Sequence, residues 1–207
     1  MKKILSFLIC LLWSANVYAA VGCDLNDPDR DVKRFFPNST GYKTEYLSVE
    51  KAGGKELYNK METELGDTFS GIYEKIDVPY TLYTVLDNET PLGYIHGVNQ
   101  KGKYGGMQVF LTTDAKGIIT NFYFQKLTSK NAEKLRSSDF GNQFIGLSLA
   151  DFKDYDVQTK QAKNGSKVQA IRNPAPEGSD DFYSALRGVK KNLILMQHFI
   201  FDKQEQK

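Results

Sequence analysis

GYIHGVNQKGKYGGMQVFLTTDAKGIITNFYFQK, from Gly93 to Lys126, is the stretch that organises this chain. It contains three strand-like runs separated by two glycine-containing connections, a pattern typical of consecutive hairpins. The first connection includes Tyr104-Gly105-Gly106, where glycine allows positive φ and a close approach of the backbone. The second connection, Asp114-Ala115-Lys116-Gly117, predicts a tight turn. The predicted strands cover residues 94–98, 107–112 and 118–124.

Segments on both sides of this stretch predict a further strand and two longer helices. Residues 55–65 repeat apolar side chains every four positions, which predicts a helix that Gly66 ends. Residues 80–86 predict another strand. Residues 179–201 place apolar side chains three and four apart, which predicts a long helix with one face in the core and Ser179 as its N-cap.

Shorter patterns complete the predicted architecture. Residues 129–136 and 148–152 predict short helices. Asn164-Gly165 predicts a hairpin turn between strands at 155–162 and 166–171. The sequence therefore predicts an α+β fold, in which a curved antiparallel sheet of hairpins is packed by short helices and a long C-terminal helix.

The first 22 residues have the pattern of a secretory signal peptide. Lys2 and Lys3 precede an apolar run at 4–13, and Val17-Tyr18-Ala19 forms a small-x-small cleavage site. The run is shorter than the roughly 20 residues that a membrane-spanning helix needs. Two alternatives remain, an uncleaved anchor and cleavage before Cys23 with lipid attached there. We expect a protein in the periplasm or at the outer face of the inner membrane.

Charge and residue types argue against several classes of function. The chain has 27 basic and 25 acidic side chains, and loss of Lys2 and Lys3 with the signal peptide leaves 25 of each. No net basic surface is left for nucleic acid. Two histidines, and one cysteine after residue 22, are too few for a thiolate or histidine metal centre. The sequence contains no hydrolase, nucleotide-binding or zinc-protease motif, so we predict no catalytic and no metal-ligating residue.

Two elements of the sequence resemble a known family. The first is the order glycine loop, Tyr-Gly-Gly, strand, Asp-x-x-Gly turn, strand. The second is a Phe-x-x-Gln-Phe-x-Gly element, formed by Phe140, Gln143, Phe144 and Gly146. Both are similar to the FMN-binding domain of periplasmic flavin subunits in Rnf complexes and in sodium-pumping NADH:quinone reductase. The resemblance implies a lead-in at 23–52 and an FMN-binding-like domain at 53–207. It also implies an inner-membrane redox complex, or a quinone or flavin partner protein.

The sequence departs from that family where the flavin would be attached. Family members open the last helix with Ser-Gly-Ala-Thr, and the threonine hydroxyl carries FMN as a phosphoester. This chain has Gly178-Ser179-Asp180-Asp181 there, with Asp181 in the acceptor position. A carboxylate cannot be the acceptor, and two carboxylates would repel a phosphate. The resemblance therefore implies a divergent member that lacks the flavinylation threonine.

The implied flavin site surrounds the glycine loop and the start of the last helix. Its candidate residues are His96, Lys103, Tyr104, Gly105, Gly106, Met107, Gln125, Lys126, Ser179 and Ser184. His96 either hydrogen-bonds a flavin edge or serves as a proton carrier, or it is a half-exposed strand residue bonded to a carbonyl. The Tyr104-Gly105-Gly106 segment either lies against the isoalloxazine ring or forms a bulge that curves the sheet. We expect Lys103 and Lys126 to converge beside this loop as a phosphate clamp.

These observations give one functional expectation and two alternatives. We expect an exported FMN-binding-like protein that holds FMN without a covalent bond and transfers electrons at the cell envelope. The first alternative is a cofactor-less member of the same fold, acting as a binding or assembly subunit of an envelope complex. The second is an unrelated exported binding protein. In the first two cases the protein is an electron carrier or an accessory subunit rather than a stand-alone enzyme.

Overall fold

The computed structural model describes residues 22–204, so the predicted signal peptide lies outside the described residues except for Gly22. At its centre is one antiparallel sheet whose five strands lie in chain order, each paired with the next. The strands are β1 (Gly41–Leu47), β2 (Tyr80–Asp87), β3 (Thr90–Lys101), β4 (Gly106–Asp114) and β5 (Ile119–Leu127), and a separate two-stranded ribbon contains β6 (Tyr155–Asp156) and β7 (Gln161–Ala162). The predicted α+β class is confirmed.

Helices surround the sheet, and the longest one follows it near the C-terminus. They are α1 (Pro28–Phe35), α2 (Val49–Leu65), α3 (Ala132–Leu135), α4 (Ser138–Gly141), α5 (Leu149–Phe152), α6 (Ser179–Met196), a π-helical turn (Gln197–Phe201) and α7 (Asp202–Gln204), with short 3₁₀ turns at Asn142–Phe144 and Pro176–Gly178. Within residues 22–204, no helix combines the length and apolar character that a membrane crossing requires.

The two central hairpins form as predicted, because turn chemistry and strand pattern agree. β3 and β4 pair without interruption from Gly93 opposite Asp114 to Lys101 opposite Gly106. In the β4–β5 turn, the Asp114 carboxylate accepts the backbone N–H groups of Lys116 (2.8 Å) and Ile118 (3.0 Å). Gly117 has φ +82°, a conformation that glycine adopts without strain.

The main core lies between one face of the sheet and α6. The predicted apolar stripe of this helix is buried, including Phe182, Val189 and Leu193. At Gly188 the helix approaches β4 so closely that a methyl group would lie 2.9 Å from a methyl of Val109. This close packing places the polar side chains of the same helix face directly against the backbone of β3 and β4.

The other face of the sheet is covered by the N-terminal lead-in. Cys23 and Leu25 are buried there against Tyr83 and Phe110 in a second, smaller core. The Leu25 N–H donates to the Tyr83 hydroxyl (3.1 Å), which ties the segment to β2. Cys23 is only 1% exposed, because the residues after it pack onto the sheet.

The segment predicted as a lead-in has regular structure of its own. The lead-in predicted for residues 23–52 contains α1 and β1, and α2 begins within it at Val49. The Ser48 hydroxyl accepts the Lys51 N–H, and Gly54, with φ +61°, kinks the helix without ending it. The helix predicted for residues 55–65 therefore begins at Val49, and Gly53-Gly54 marks a bend inside it.

Two local predictions near the last helix are also wrong. Asn164-Gly165 does not join two strands, because β6 pairs with β7 and the residues that follow form turns at 167–170. Gly178, not Ser179, is the N-cap of α6. The Ser179 hydroxyl instead donates to the Pro176 carbonyl (2.8 Å) and fixes the preceding turn.

Candidate functional site

The glycine loop between β3 and β4 is docked on the first turn of α6. The Lys103 N–H donates to Oδ1 of Asp181 at 2.7 Å, and the Ser129 hydroxyl donates to Oδ2 at 2.6 Å. Asp181 is 1% exposed, so this carboxylate lies inside the protein with a donor on each oxygen. The interaction joins three segments that are far apart in sequence: the loop, the segment after β5, and α6.

The adjacent carboxylate, Asp180, is half-exposed and binds cations at the surface. Its Oδ2 lies 2.7 Å from the Lys103 ammonium, and its Oδ1 lies 3.6 Å from that of Lys160. The hydrogen bond from Lys103 lowers the pKa of the Asp180 carboxyl, and the same contact raises the pKa of Lys103. The one loop lysine expected to clamp a phosphate is therefore paired with a carboxylate of the protein.

The start of α6 does not fit the phosphate group of FMN. Helix N-termini bind phosphate through free N–H groups and the helix dipole. Here two carboxylates occupy the first turn, and like charges within about 4–6 Å disfavour a dianion. A methyl at Gly102 would lie 2.8 Å from Oδ1 of Asp181, so the loop backbone is packed directly on that carboxylate.

The two serine candidates on α6 have different environments. The Ser179 hydroxyl accepts a hydrogen bond from the Asn173 amide (3.1 Å) as well as donating to Pro176, so it serves the local turn. Ser184 is partly buried further along the helix. Neither lies in a Ser-Gly-Ala-Thr context, and the structure gives neither a role toward a ligand.

His96 and Met107 lie in the core and not at a ligand surface. Each is 0% exposed. His96 Nδ1 is 2.6 Å from the side-chain oxygen Oδ1 of Asn192. The side-chain Nδ2 group of Asn192 donates to the backbone carbonyls of His96 (3.0 Å) and Val109 (3.1 Å). Burial lowers the pKa of His96 to about 4, opposed by the Asn192 hydrogen bond. The expectation of a half-exposed His96 was wrong, since α6 covers this part of β3.

Tyr104 is the exposed aromatic residue of the glycine loop, with a relative exposure of 43%. The Lys130 ammonium lies 5.0 Å from the centre of this ring and the Lys103 ammonium 6.0 Å from it. Gly105 has φ +153°, and a methyl there would lie 2.9 Å from the Thr128 side chain, so the loop rests on the segment after β5. Gly106 is the first residue of β4 and is partly exposed.

The two candidates on β5 are not equivalent. Gln125 holds the N-terminal lead-in: its side-chain oxygen accepts the Asn26 N–H (3.1 Å) and its amide donates to the Asp24 carbonyl (2.7 Å). Lys126 is exposed. Its convergence with Lys103 stays a prediction, and the Lys103 ammonium is bound by Asp180.

The Phe-x-x-Gln-Phe-x-Gly element has a structural role. Phe140 and Phe144 are fully buried against Phe122, at ring-centre distances of 5.6 Å and 4.3 Å. The Gln143 amide donates to the Arg172 carbonyl (3.2 Å) and its oxygen accepts the Arg172 N–H (2.7 Å). This pair of bonds pins the loop that leads into α6, which explains the residue types without a ligand.

A buried charged cluster was not predicted from the sequence. Glu74, in the loop before β2, accepts hydrogen bonds from Arg187 (2.6 Å) and Lys191 (2.6 Å). Lys191 also donates to the Asn99 carbonyl (2.7 Å) and Arg187 to the Asp67 carboxylate (2.8 Å). The available signal was cationic residues on the buried side of a predicted amphipathic helix. No group of three or more His, Cys, Asp or Glu side chains in the described chain is arranged to hold a metal ion.

Comparisons with known proteins agree with this architecture. No family model matches the chain, and no curated protein matches it by sequence. The crystal structure of Shewanella oneidensis NqrC superposes with a TM-score of 0.55 at 10% identity, covering 91% of this chain and 94% of that one. A Na⁺-translocating NADH-quinone reductase subunit from Parabacteroides distasonis gives a TM-score of 0.35 at 16% identity over 82% and 86%, too low to indicate a shared fold. The chain shares the fold of the Shewanella protein.

Proposed function

We propose that this protein is an exported accessory subunit of an envelope redox complex, with a flavin-subunit fold that holds no covalently attached flavin. The observation that carries the proposal is Asp181, which occupies the predicted acceptor position and is buried with a donor on each oxygen. Export rests on the signal-peptide pattern of the first 22 residues. Work within a redox complex rests on the fold shared with NqrC and on the motifs of the glycine loop.

In this proposal the protein contributes binding surface and assembly rather than chemistry. His96, the candidate proton carrier, is 0% exposed and cannot touch a surface ligand without displacement of α6. The first turn of α6 binds its own glycine loop through Asp181 and Lys103, so the interaction that would hold a phosphate instead stabilises the fold. The exposed Tyr104 ring, with the ammonium groups of Lys103 and Lys130 near it, is the apolar surface that this loop offers to a partner protein.

The second candidate is a carrier that binds FMN without a covalent bond, and Tyr104 is the observation that favours it. An exposed aromatic ring can stack on an isoalloxazine ring, and the Lys130 ammonium, 5.0 Å from the ring centre, would be the nearest cation for a phosphate. Lys103 would have to leave Asp180 to take part. Such a flavin would lie outside the first turn of α6.

An absorbance spectrum of the exported, purified protein, before and after acid precipitation, tests both candidates. We expect a colourless protein that shows no saturable binding of FMN at up to about 1 mM. Flavin released into the supernatant, with binding weakened by Tyr104→Ala, would favour the second candidate. Colour that stays in the pellet would show a covalent flavin and overturn both.

A double variant tests whether the two carboxylates in the first turn of α6 prevent the binding of a phosphate group. Asp180→Ala with Asp181→Ala removes the two first-turn carboxylates and should improve binding of FMN more than binding of riboflavin, which lacks the phosphate. Asp139→Ala with Asp154→Ala, at two exposed carboxylates outside α6, makes the same change in net charge and should leave the binding of both ligands unaffected. An equal effect of the two double variants would show that overall charge matters and the first turn does not.

A further inference from the structure

Two consecutive lysines on α6 are buried, and they differ in how their charge is compensated. Lys191, 1% exposed, donates to the Glu74 carboxylate at 2.6 Å. Lys190, 5% exposed, donates to the backbone carbonyl of Tyr155 at 2.7 Å. Within residues 22–204, no carboxylate forms an ion pair with Lys190. A buried ammonium that has a carbonyl but no counter-charge favours an anion beside it.

The acidic residues near Lys190 are engaged elsewhere. Nδ1 of His198 is 2.6 Å from the Asp202 carboxylate, and Nε2 is 2.8 Å from the Glu64 carboxylate. Asp156 acts on Lys190 through space, yet burial outweighs it and lowers the pKa of the Lys190 ammonium.

Lys190 and His198 line the same cleft, between α2, α5 and the end of α6. Its volume is about 560 Å³, within the range of small-molecule sites. Leu149 and Ala150 form an apolar part of the wall, and Lys60 and Lys153 add exposed cations. The π-helical turn at Gln197–Phe201 sits at one end of the cleft, and π-turns inside helices occur often at functional sites.

We propose that this cleft binds a small organic monocarboxylate, with its carboxylate on the Lys190 ammonium and its apolar body on Leu149 and Ala150. Lys190 has two further protons to donate after its bond to the Tyr155 carbonyl. A single negative charge suits the site, because the carboxylates of Glu64 and Asp202 in the same wall would repel a dianion. The site is separate from the glycine loop and does not depend on whether flavin binds.

Calorimetric titration with hexanoate tests the proposal, with hexanol and inorganic phosphate as comparison ligands. We expect saturable binding of hexanoate, weaker binding of phosphate and none of hexanol. Lys190→Met keeps an unbranched apolar stem and should weaken hexanoate binding about tenfold or more. Lys116→Met, at an exposed lysine in the β4–β5 turn, makes the same charge change and should leave the affinity unaltered.

A second variant keeps the test decisive if Lys190→Met fails to fold. Ala150→Phe adds a ring at an exposed wall position, leaves Lys190 in place and should abolish hexanoate binding with little change in thermal stability. The proposal is overturned by the absence of saturable hexanoate binding, by hexanol binding equally well, or by phosphate binding more tightly than hexanoate. Undiminished binding to both the Lys190 and the Ala150 variants would overturn it as well.

Discussion

Asp181 is the buried member of two consecutive carboxylates at the start of α6, and its removal should be the costlier change. Asp181→Ala leaves the Lys103 N–H and the Ser129 hydroxyl without an acceptor in a closed site. We expect the free energy of unfolding to fall by about 2–3 kcal/mol, measured by chemical denaturation. Hydrogen exchange at the Lys103 amide should also become faster.

Asp180→Ala is the matched control, because it removes a carboxylate from the same turn. Its ion pair with Lys103 is about half-exposed, and solvent and salt screen such a pair so well that it contributes little to stability. We expect little change in the free energy of unfolding and none in exchange at the Lys103 amide. Equal losses in the two variants would contradict the view that Asp181 holds the glycine loop.

His96 gives stability a specific dependence on pH. Its pKa is about 4 in the folded protein, lowered by burial from 6.5. Between these values the unfolded chain binds the extra proton, so the free energy of unfolding falls as pH drops from 6.5 towards 4. From pH 7 to pH 5 we expect His96 to account for a loss of about 2 kcal/mol. Denaturation at both pH values should show a loss in the free energy of unfolding that is about 2 kcal/mol larger in wild type than in His96→Gln. Equal losses in the two proteins would contradict the prediction.

Gly97 on β3 shows how one strand makes room for another. It pairs with Phe110 on β4, and a methyl group at Gly97 would lie 2.5 Å from the Phe110 ring. That ring is 0% exposed and stacked on Tyr123 at 5.3 Å, so it has no space to move. We expect Gly97→Ala to lower the free energy of unfolding by about 1–3 kcal/mol, measured by thermal or chemical denaturation.

The control for this prediction is another strand glycine with open surroundings. A methyl group at Gly41, at the start of the edge strand β1, would meet no atom within 4 Å. Gly41→Ala should be neutral or stabilise the protein by a few tenths of a kcal/mol, because alanine restricts the unfolded chain. Similar losses for both variants would show that strand propensity, and not the Phe110 ring, decides the effect.

The sequence predicted those helices and strands in which buried apolar residues recur along the chain. β3 and β4 contain runs of consecutive buried residues and α6 has a buried apolar stripe, and these patterns predicted all three elements. β1 is an edge strand with four exposed residues in succession, so it lacks the alternation that marks a strand. The residues after Asn164-Gly165 bury Val168 and Ile171 within turns, which an apolar pattern alone cannot distinguish from a strand.

The candidate site was predictable only where its contacts are local. The position of Asp180 and Asp181 in the first turn of α6 follows from the helix pattern, and the structure confirms it. Which of the two is buried depends on Lys103, 78 residues away, and on Ser129, 52 residues away. No periodicity carries that information, because it arises from the packing of three distant segments.

At the scale of the whole molecule, one carboxylate connects the loop before β2 to the long helix. Glu74 is 4% exposed, and hydrogen bonds from Arg187 and Lys191 compensate its charge. Burial alone would raise the pKa of Glu74, but the two cations outweigh it and hold the pKa at about 2. The buried ion pairs of Glu74 with Arg187 and Lys191 thus connect the loop before β2 to α6, and the bond from Lys191 to the Asn99 carbonyl connects α6 to the sheet.

Breaking this cluster should therefore destabilise the whole fold. Glu74→Gln leaves two buried cations without their carboxylate, and we expect a loss of about 3–5 kcal/mol in the free energy of unfolding. In wild type the contribution of Glu74 is complete above pH 4.5 and is lost as pH falls to about 2, because the unfolded chain takes up the proton first. Denaturation between pH 7 and pH 2 should show this loss in wild type and not in the variant. Glu45→Gln, at an exposed position of β1, makes the same change in net charge, and this variant should lose stability in acid as wild type does. If Glu74→Gln and Glu45→Gln lose the same stability in acid, the acid sensitivity arises from net charge, and Glu74 does not connect the loop to the helix.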